Sequence, residues 1–207
     1  MAGQVSRNNR RTCWVLKCDV RQFFASIDQR VLMRILVKRI VDMKIRWLLA
    51  EIIGSFSSSR PGVGLPLGNL TSQLLANVYL NELDWFVKQN LKVRHYIRYA
   101  DDFVLLSRDR LELRRQLYQI SDWLGVELKL WLYPEKVSIS TLASGVDFLG
   151  WQHFPQWRIL REVTKRRMFK NLRQGRSEAS TASYLGLLSH GDAFEVQSMV
   201  KSLNCYD

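Results

Sequence analysis

Two short apolar stretches, residues 95–98 and 103–106, flank the tetrapeptide Tyr99-Ala100-Asp101-Asp102. Aromatic and branched residues on both sides read as a pair of strands, and the small and acidic residues between them as a tight turn. Such a hairpin holds two adjacent carboxylates at its tip. Taken alone, an Asp-Asp pair is ordinary turn chemistry, because Asp readily bonds its own neighbouring backbone. What the pair means depends on the rest of the chain.

At 207 residues the chain is long enough for one sizeable core and a small appended piece. A hydrophobic fraction of 47% excludes wholesale disorder. Lys and Arg number 31 against 19 Asp and Glu, a formal charge of +12 that favours a polyanionic partner, nucleic acid before an anionic membrane surface. No apolar run approaches a membrane span, no amphipathic anchor is visible, and the basic start lacks the apolar centre of a secretory signal. Cys13, Cys18 and Cys205 form no CxxC pair and suit free thiols in a reducing, cytoplasmic setting. The three histidines are scattered, so a zinc site is not expected.

Residues 13–18 read as a buried strand running straight into Asp19. Ser26 with Gln29 three residues later fits a capping box, predicting one long helix over 27–53. Arg30, Arg34 and Lys38 recur at i, i+4 and i+8 on it, either a solvated face or a rail for phosphates. Residues 54–68 are loop by composition and connect elements within one domain. Asn69 or Thr71 caps a helix reaching about Gln89, with Leu75, Tyr79 and Phe86 in one apolar row and Leu74, Val78 and Trp85 beside it. That pattern predicts a mostly buried helix. After the hairpin, Leu113, Leu117, Ile120 and Leu124 mark an amphipathic helix stopped by Gly125, and the alternation over 126–132 predicts a strand. Further short strands follow at 137–140 and from Val146 to near Gly150. From Val163 onward the chain reads as short basic helices punctuated by Gly175, Gly186 and Gly191.

Asp19 ends one strand and Asp101-Asp102 tip a hairpin far along the chain. If the two elements are sheet neighbours, the carboxylates converge. Two unit charges about 4 Å apart repel by roughly 4 kcal/mol at an effective dielectric near 20. All-oxygen ligands under that repulsion call for hard cations such as Mg²⁺ or Mn²⁺. Two such ions suit in-line displacement at phosphorus, with pyrophosphate leaving. That chemistry is nucleotidyl transfer.

Five motifs then stand in order. The stretch from Lys17-Cys18-Asp19 through Phe23-Phe24 to Asp28 resembles the first catalytic motif of bacterial reverse transcriptases. Gly64-Leu65-Pro66-Leu67-Gly68 through Ser72-Gln73 is similar to their template and nucleotide-binding motif. Arg98-Tyr99-Ala100-Asp101-Asp102 matches the YxDD hairpin. Tyr133-Pro134-Glu135-Lys136 resembles the lysine motif, and Phe148-Leu149-Gly150-Trp151 the primer grip.

The resemblance implies an α+β reverse-transcriptase palm, an antiparallel sheet backed by helices, with a short helical thumb and the fingers largely missing. It implies a basic N-terminal segment over 1–11, a palm over 12–160 and a thumb-like segment over 161–207. Asp19, Asp101 and Asp102 would hold two Mg²⁺ ions, for which Mn²⁺ substitutes, assisted by the backbone of Val20. Lys136 would protonate departing pyrophosphate. Phe24, Leu67, Gly68 and Gln73 would contact the nucleotide, Phe24 lying under its sugar. Phe148, Leu149 and Gly150 would support the primer end, and Arg30, Arg34 and Lys38 the nucleic-acid backbone.

The expected reaction is RNA-directed DNA synthesis from deoxynucleoside triphosphates on an RNA template with a DNA or RNA primer. Pro66-Leu67-Gly68 and the ending Ser72-Gln73 resemble the enzymes of diversity-generating retroelements, which implies an accessory retroelement protein as partner. The alternative is a truncated palm, catalytically weak or inactive, that binds nucleic acid.

Overall fold

The computed structural model describes residues 2–6, 10–58, 60–174 and 178–203; Gly175 and Cys205 lie outside them. In chain order the elements are α1 (Ala2–Ser6), β1 (Trp14–Asp19), α2 (Phe23–Ser26), α3 (Gln29–Val37), α4 (Met43–Gly54), α5 (Leu70–Trp85), β2 (Tyr96–Tyr99) and β3 (Asp102–Ser107). They continue with α6 (Arg110–Trp123), β4 (Ser138–Thr141), β5 (Val146–Phe148), β6 (Trp151–His153), β7 (Arg158–Leu160), α7 (Glu162–Arg173), α8 (Glu178–Leu188) and α9 (Phe194–Leu203). Two compact units result. One comprises Trp14–Ile139, the other Ala2–Cys13 with the chain from Ser140 onward.

The first unit is built on a sheet of order β2-β3-β1-β4, in which β3 runs antiparallel to both β1 and β2. The register pairs Leu16 with Leu105 and Cys18 with Phe103, so these four side chains share one face. That face packs into a core with Leu32 and Ile35 of α3, Tyr79, Leu80 and Leu83 of α5, and Leu113 and Ile120 of α6. Each such buried side chain contributes roughly 1.5–3 kcal/mol relative to exposure. The opposite face carries Val15 paired with Leu106, Lys17 with Val104, and Asp19 with Asp102. Apart from Lys17, both central strands are thus apolar on both faces until their polar ends.

Residues 27–53 form two helices rather than one. Asp28 caps α3 by accepting from the backbone N–H groups of Arg30 (2.9 Å) and Val31 (3.0 Å). Asp42 does the same for α4, and Arg46 reaches back to donate to the carbonyls of Val37 (3.0 Å) and Ile40 (2.6 Å). A second acidic cap and a guanidinium on the open carbonyls make the break stable without proline or glycine. The Ser26–Gln29 capping box does not form. Ser26 Oγ donates to the Arg21 carbonyl, and Gln29 Nε2 donates to the carbonyls of Phe56 and Gly64, pinning the 54–68 loop to the start of α3.

Asn69 caps α5, its side chain accepting from Thr71 N–H. This helix is buried on one face, through Leu75, Ala76, Tyr79, Leu80 and Leu83. Leu74 and Trp85 are more than half exposed, which narrows the expected apolar face.

The expected strand over 126–132 is also overturned. α6 runs through Gly125 into a wide π-type turn over Leu124–Leu128 and ends at Lys129, in the left-handed region at φ 54°. Leu124 and Leu128, four residues apart, are both buried, and the Tyr79 hydroxyl donates to the Leu128 carbonyl at 2.6 Å. Helical spacing therefore wins over the alternation. Leu132 makes an isolated bridge with Val20.

In the second unit β5, β6 and β7 form an antiparallel meander. The expected strand ending near Gly150 is one arm of a hairpin, turning at Leu149 and Gly150. Both have positive φ (53° and 81°), as a primed two-residue turn requires. Trp151, Leu160, Met168, Leu188, Ala193 and Val200 make a separate core with α7–α9. A Cβ on Gly191 would fall 2.0 Å from the Trp151 ring, so that contact needs glycine. Of the short helices expected to be basic, α7 is; α8 carries no Lys or Arg.

The two capping alternatives at α3 are separable. Asp28→Ala should destabilise the protein by about 0.5–2 kcal/mol, the usual cost of losing an acidic cap. Ser26→Ala should cost clearly less, and urea denaturation of both variants checks the order.

Candidate active site

Antiparallel pairing of β1 with β3 brings Asp19 directly opposite Asp102 on one face of the sheet. Asp101 lies one residue earlier, in the turn after β2, and its carbonyl accepts from Val20 N–H at 3.3 Å. Ala100 turns the chain with a left-handed φ of 51°. Beyond β1, Tyr133 N–H donates to the Asp19 carbonyl (2.8 Å) and Arg21 N–H to the Trp131 carbonyl (2.9 Å). These bonds hold the short 3₁₀ turn Pro134–Lys136 beside the end of the strand.

Two ammonium groups meet the acids. Lys136 Nζ donates to Asp19 Oδ2 at 3.0 Å, with the Tyr133 ring 5.1 Å away, and Lys17 Nζ stands 3.9 Å from Asp102 Oδ1. Burial raises the carboxyls of Asp101 and Asp102 above their usual range, and the charge of Asp19 raises both further. Lys17 opposes this at Asp102 and Lys136 at Asp101. The hydrogen bond to Asp19 in turn raises the Lys136 ammonium, so that it holds its proton firmly.

A model of the family reverse transcriptase (RNA-dependent DNA polymerase) matches residues 3–153, and within that span fall the carboxylate turn and the lysine beside it. The chain belongs to the reverse transcriptase family. It is 29% identical over 178 residues to protein YkfC of Escherichia coli (strain K12), covering 66% of this chain and 46% of that protein. It is 35% identical over 81 residues to the group II intron-encoded protein LtrA of Lactococcus lactis subsp. cremoris, covering 37% of this chain and 14% of that one. The chain therefore spans less than half the length of these relatives. Among solved structures, apo telomerase from Candida tropicalis superposes with a TM-score of 0.61 at 13% identity, over 89% of this chain and 39% of that one. That likeness is one of fold: a palm with an antiparallel sheet backed by helices.

Within this reverse transcriptase unit, Phe24 lies on α2, half-buried, edge-on to Phe23 with ring centroids 5.5 Å apart. Its carbonyl accepts from Leu65 N–H at 2.8 Å, which ties the 64–68 loop to α2. Gly68 has φ 83° with open space where a Cβ would point, so backbone conformation rather than crowding requires glycine there. Leu67 is 80% exposed, and Gln73 projects from the first turn of α5. Arg30 and Arg34 are exposed along α3 and Lys38 is exposed at its C-terminal cap, and Arg34 donates to the Glu127 carbonyl at 3.2 Å. Phe148, Leu149 and Gly150 form the β5–β6 corner of the second unit.

Sequence reasoning missed Lys17 and the group behind the turn. Arg98 donates through Nε and Nη2 to the carboxylate of Asp84 on α5 (2.8 and 2.6 Å), and Tyr96 donates to the same carboxylate at 2.7 Å. Arg98 had a signal, a charge inside an apolar strand. Asp84 had none, because nothing local pairs it with the hairpin.

In the chemistry of its donors, though not in their spacing, the set suits a hard divalent cation. It is all oxygen, burial and the charge of Asp19 raise the Asp101 and Asp102 carboxyls, and Asp102 Oδ1 is buried without a hydrogen-bond partner. Among the described residues no three His, Cys, Asp or Glu side chains stand gathered at ligand spacing. Lys136 holds Asp19 Oδ2 and so competes with a cation for that oxygen. Adding Mg²⁺ or Mn²⁺ should raise the melting temperature, with about 2.7 kcal/mol gained at a hundredfold excess over Kd. Asp102→Asn should abolish that gain, and a thermal melt with and without the ion checks both.

Proposed function

We propose that this chain is the polymerising part of a reverse transcriptase that copies RNA into DNA, of the kind found in diversity-generating retroelements. The observation that carries the reading is the Asp19–Asp102 pair across β1 and β3, with Asp101 in the adjoining turn and a buried Asp102 oxygen left without a donor. Asp19, Asp101 and Asp102 would hold two Mg²⁺ ions, which when bound supply charge neutralisation and activation of the primer hydroxyl. Lys136, whose ammonium lies beside Asp19, would donate a proton to the leaving pyrophosphate. Phe24 presents an aromatic edge for the sugar. The unencumbered backbone at Gly68 allows a base pair to approach. Template RNA and a primer would follow the basic surface that includes Arg30, Arg34 and Lys38, with Phe148, Leu149 and Gly150 as the primer-grip corner. Residues 12–160 would act as palm and 161–207 as thumb, with an accessory retroelement protein as partner.

Asp101→Asn should abolish primer extension while leaving affinity for a primer–template duplex nearly intact. Extension at the parental rate would overturn the assignment. Affinity should fall steeply with salt. Replacing Arg30, Arg34 and Lys38 together should flatten the slope, although Arg34 is already engaged with Glu127.

The retroelement reading comes from Pro66-Leu67-Gly68 and Ser72-Gln73. Group II intron and retron enzymes usually carry Gln at the place of Leu67, whereas the retroelement enzymes this pattern resembles copy RNA with errors at adenines. Leu67 is 80% exposed. A glutamine there would add hydrogen-bonding capacity worth about 0.5–1.5 kcal/mol, and hence about two- to tenfold in discrimination. Leu67→Gln should lower misincorporation opposite template adenine more than opposite other bases in a single-nucleotide assay. An equal change at all four bases removes the retroelement argument and leaves the polymerase reading standing.

A further inference from the structure

Strand parity sends neighbouring residues of the hairpin to opposite faces. Tyr99 pairs with Asp102 on the carboxylate face, whereas Arg98 pairs with Phe103 on the face that packs against the helices. The Arg98 side chain is only 11% exposed and its guanidinium is used on every edge. Nε and Nη2 grip the Asp84 carboxylate in a fork, and Nη1 donates to Asn77 Oδ1 (3.2 Å) and to the carbonyl of Ala100 (3.0 Å). Asp84 and Asn77 both lie on α5, and Tyr96, two residues before Arg98, braces Asp84 from the same strand. Ala100 is the residue with the left-handed φ of 51°, a region that alanine enters reluctantly and glycine freely. From the far side Val20 N–H holds the next carbonyl, that of Asp101. The two acids therefore sit on a turn tethered at consecutive carbonyls, one to β1 and one, through Arg98, to α5.

We propose that Arg98 and Asp84 form a positioning clamp that sets the backbone at Ala100 and thereby the placement of the Asp101 and Asp102 carboxylates. The proposal rests on the polymerase reading of that site. The clamp needs arginine: a lysine ammonium concentrates its donors at a point and cannot span a carboxylate and a carbonyl in a fixed plane. It acts through the carboxylates, so its loss should weaken cation binding and the chemical step while leaving nucleotide affinity unchanged.

The test uses Arg98→Lys, read in two ways. Without substrate, Mn²⁺ binding followed by electron paramagnetic resonance should need a several-fold higher ion concentration. In single-turnover primer extension the rate should fall about 10- to 100-fold, the scale of a displacement near 1 Å at a reacting centre, with KM for the nucleotide within about twofold. Ala100→Gly added to Arg98→Lys should recover much of both losses, since glycine enters the left-handed turn without the steric penalty that the tether offsets for alanine. Where Arg98→Lys does not melt cooperatively, Asp84→Asn, of the same shape but uncharged, is read identically. Parental rate and Mn²⁺ affinity in the folded variant would overturn the clamp. So would losses that track a lowered melting temperature and are not recovered by Ala100→Gly, or failure of both variants to fold. A parent chain that extends no primer would count against the polymerase reading, and the Mn²⁺ titration would then decide the clamp by itself.

Discussion

Like charge held at close range is the constraint on which this structure turns. Asp19 and Asp102 come from strands far apart in sequence, and the register of β1 against β3 sets them side by side. Neither acid could sit there without a compensating cost in folding free energy. Burial and the charge of Asp19 raise the carboxyls of Asp101 and Asp102, and the ammonium groups of Lys17 and Lys136 offset part of that repulsion. What holds the register against the electrostatic strain is apolar. Leu16, Cys18, Phe103 and Leu105 are fully buried, and a slip by one residue would turn them to the wrong face.

Helix α5 supports the site from behind. Its apolar face, through Tyr79, Leu80 and Leu83, seals the core. Its polar residues Asn77 and Asp84 receive Arg98 and Tyr96 from the hairpin. The same helix follows the 64–68 loop, so that loop and the brace for the acidic turn are attached to one element. Asn69 starts α5 where the loop ends, a capping interaction that joins the two.

Much of this was legible locally. Branched and aromatic runs around 95–98 and 103–106 gave the hairpin, and the apolar run ending in Asp19 gave its neighbour. The motif order gave the family. Two readings failed where spacing alone was followed. Residues 27–53 have continuous helical spacing, but Asp42 supplies a second cap and Arg46 satisfies the carbonyls where α3 ends. Residues 126–132 alternate like a strand, yet Leu124 and Leu128 found core positions at helical spacing and carried α6 past Gly125.

The sequence by itself determined which acids exist, which flanking runs would pair, and which family the ordered motifs resemble, because strand periodicity and turn chemistry act over a few residues. Tertiary structure alone decided the partners: Lys136 on Asp19, Lys17 beside Asp102, and Asp84 forked by Arg98. Each of these depends on strand parity and on the seating of α5, α6 and the 134–136 turn around the sheet. Those follow from burial summed over the whole core, and no window of sequence contains that sum.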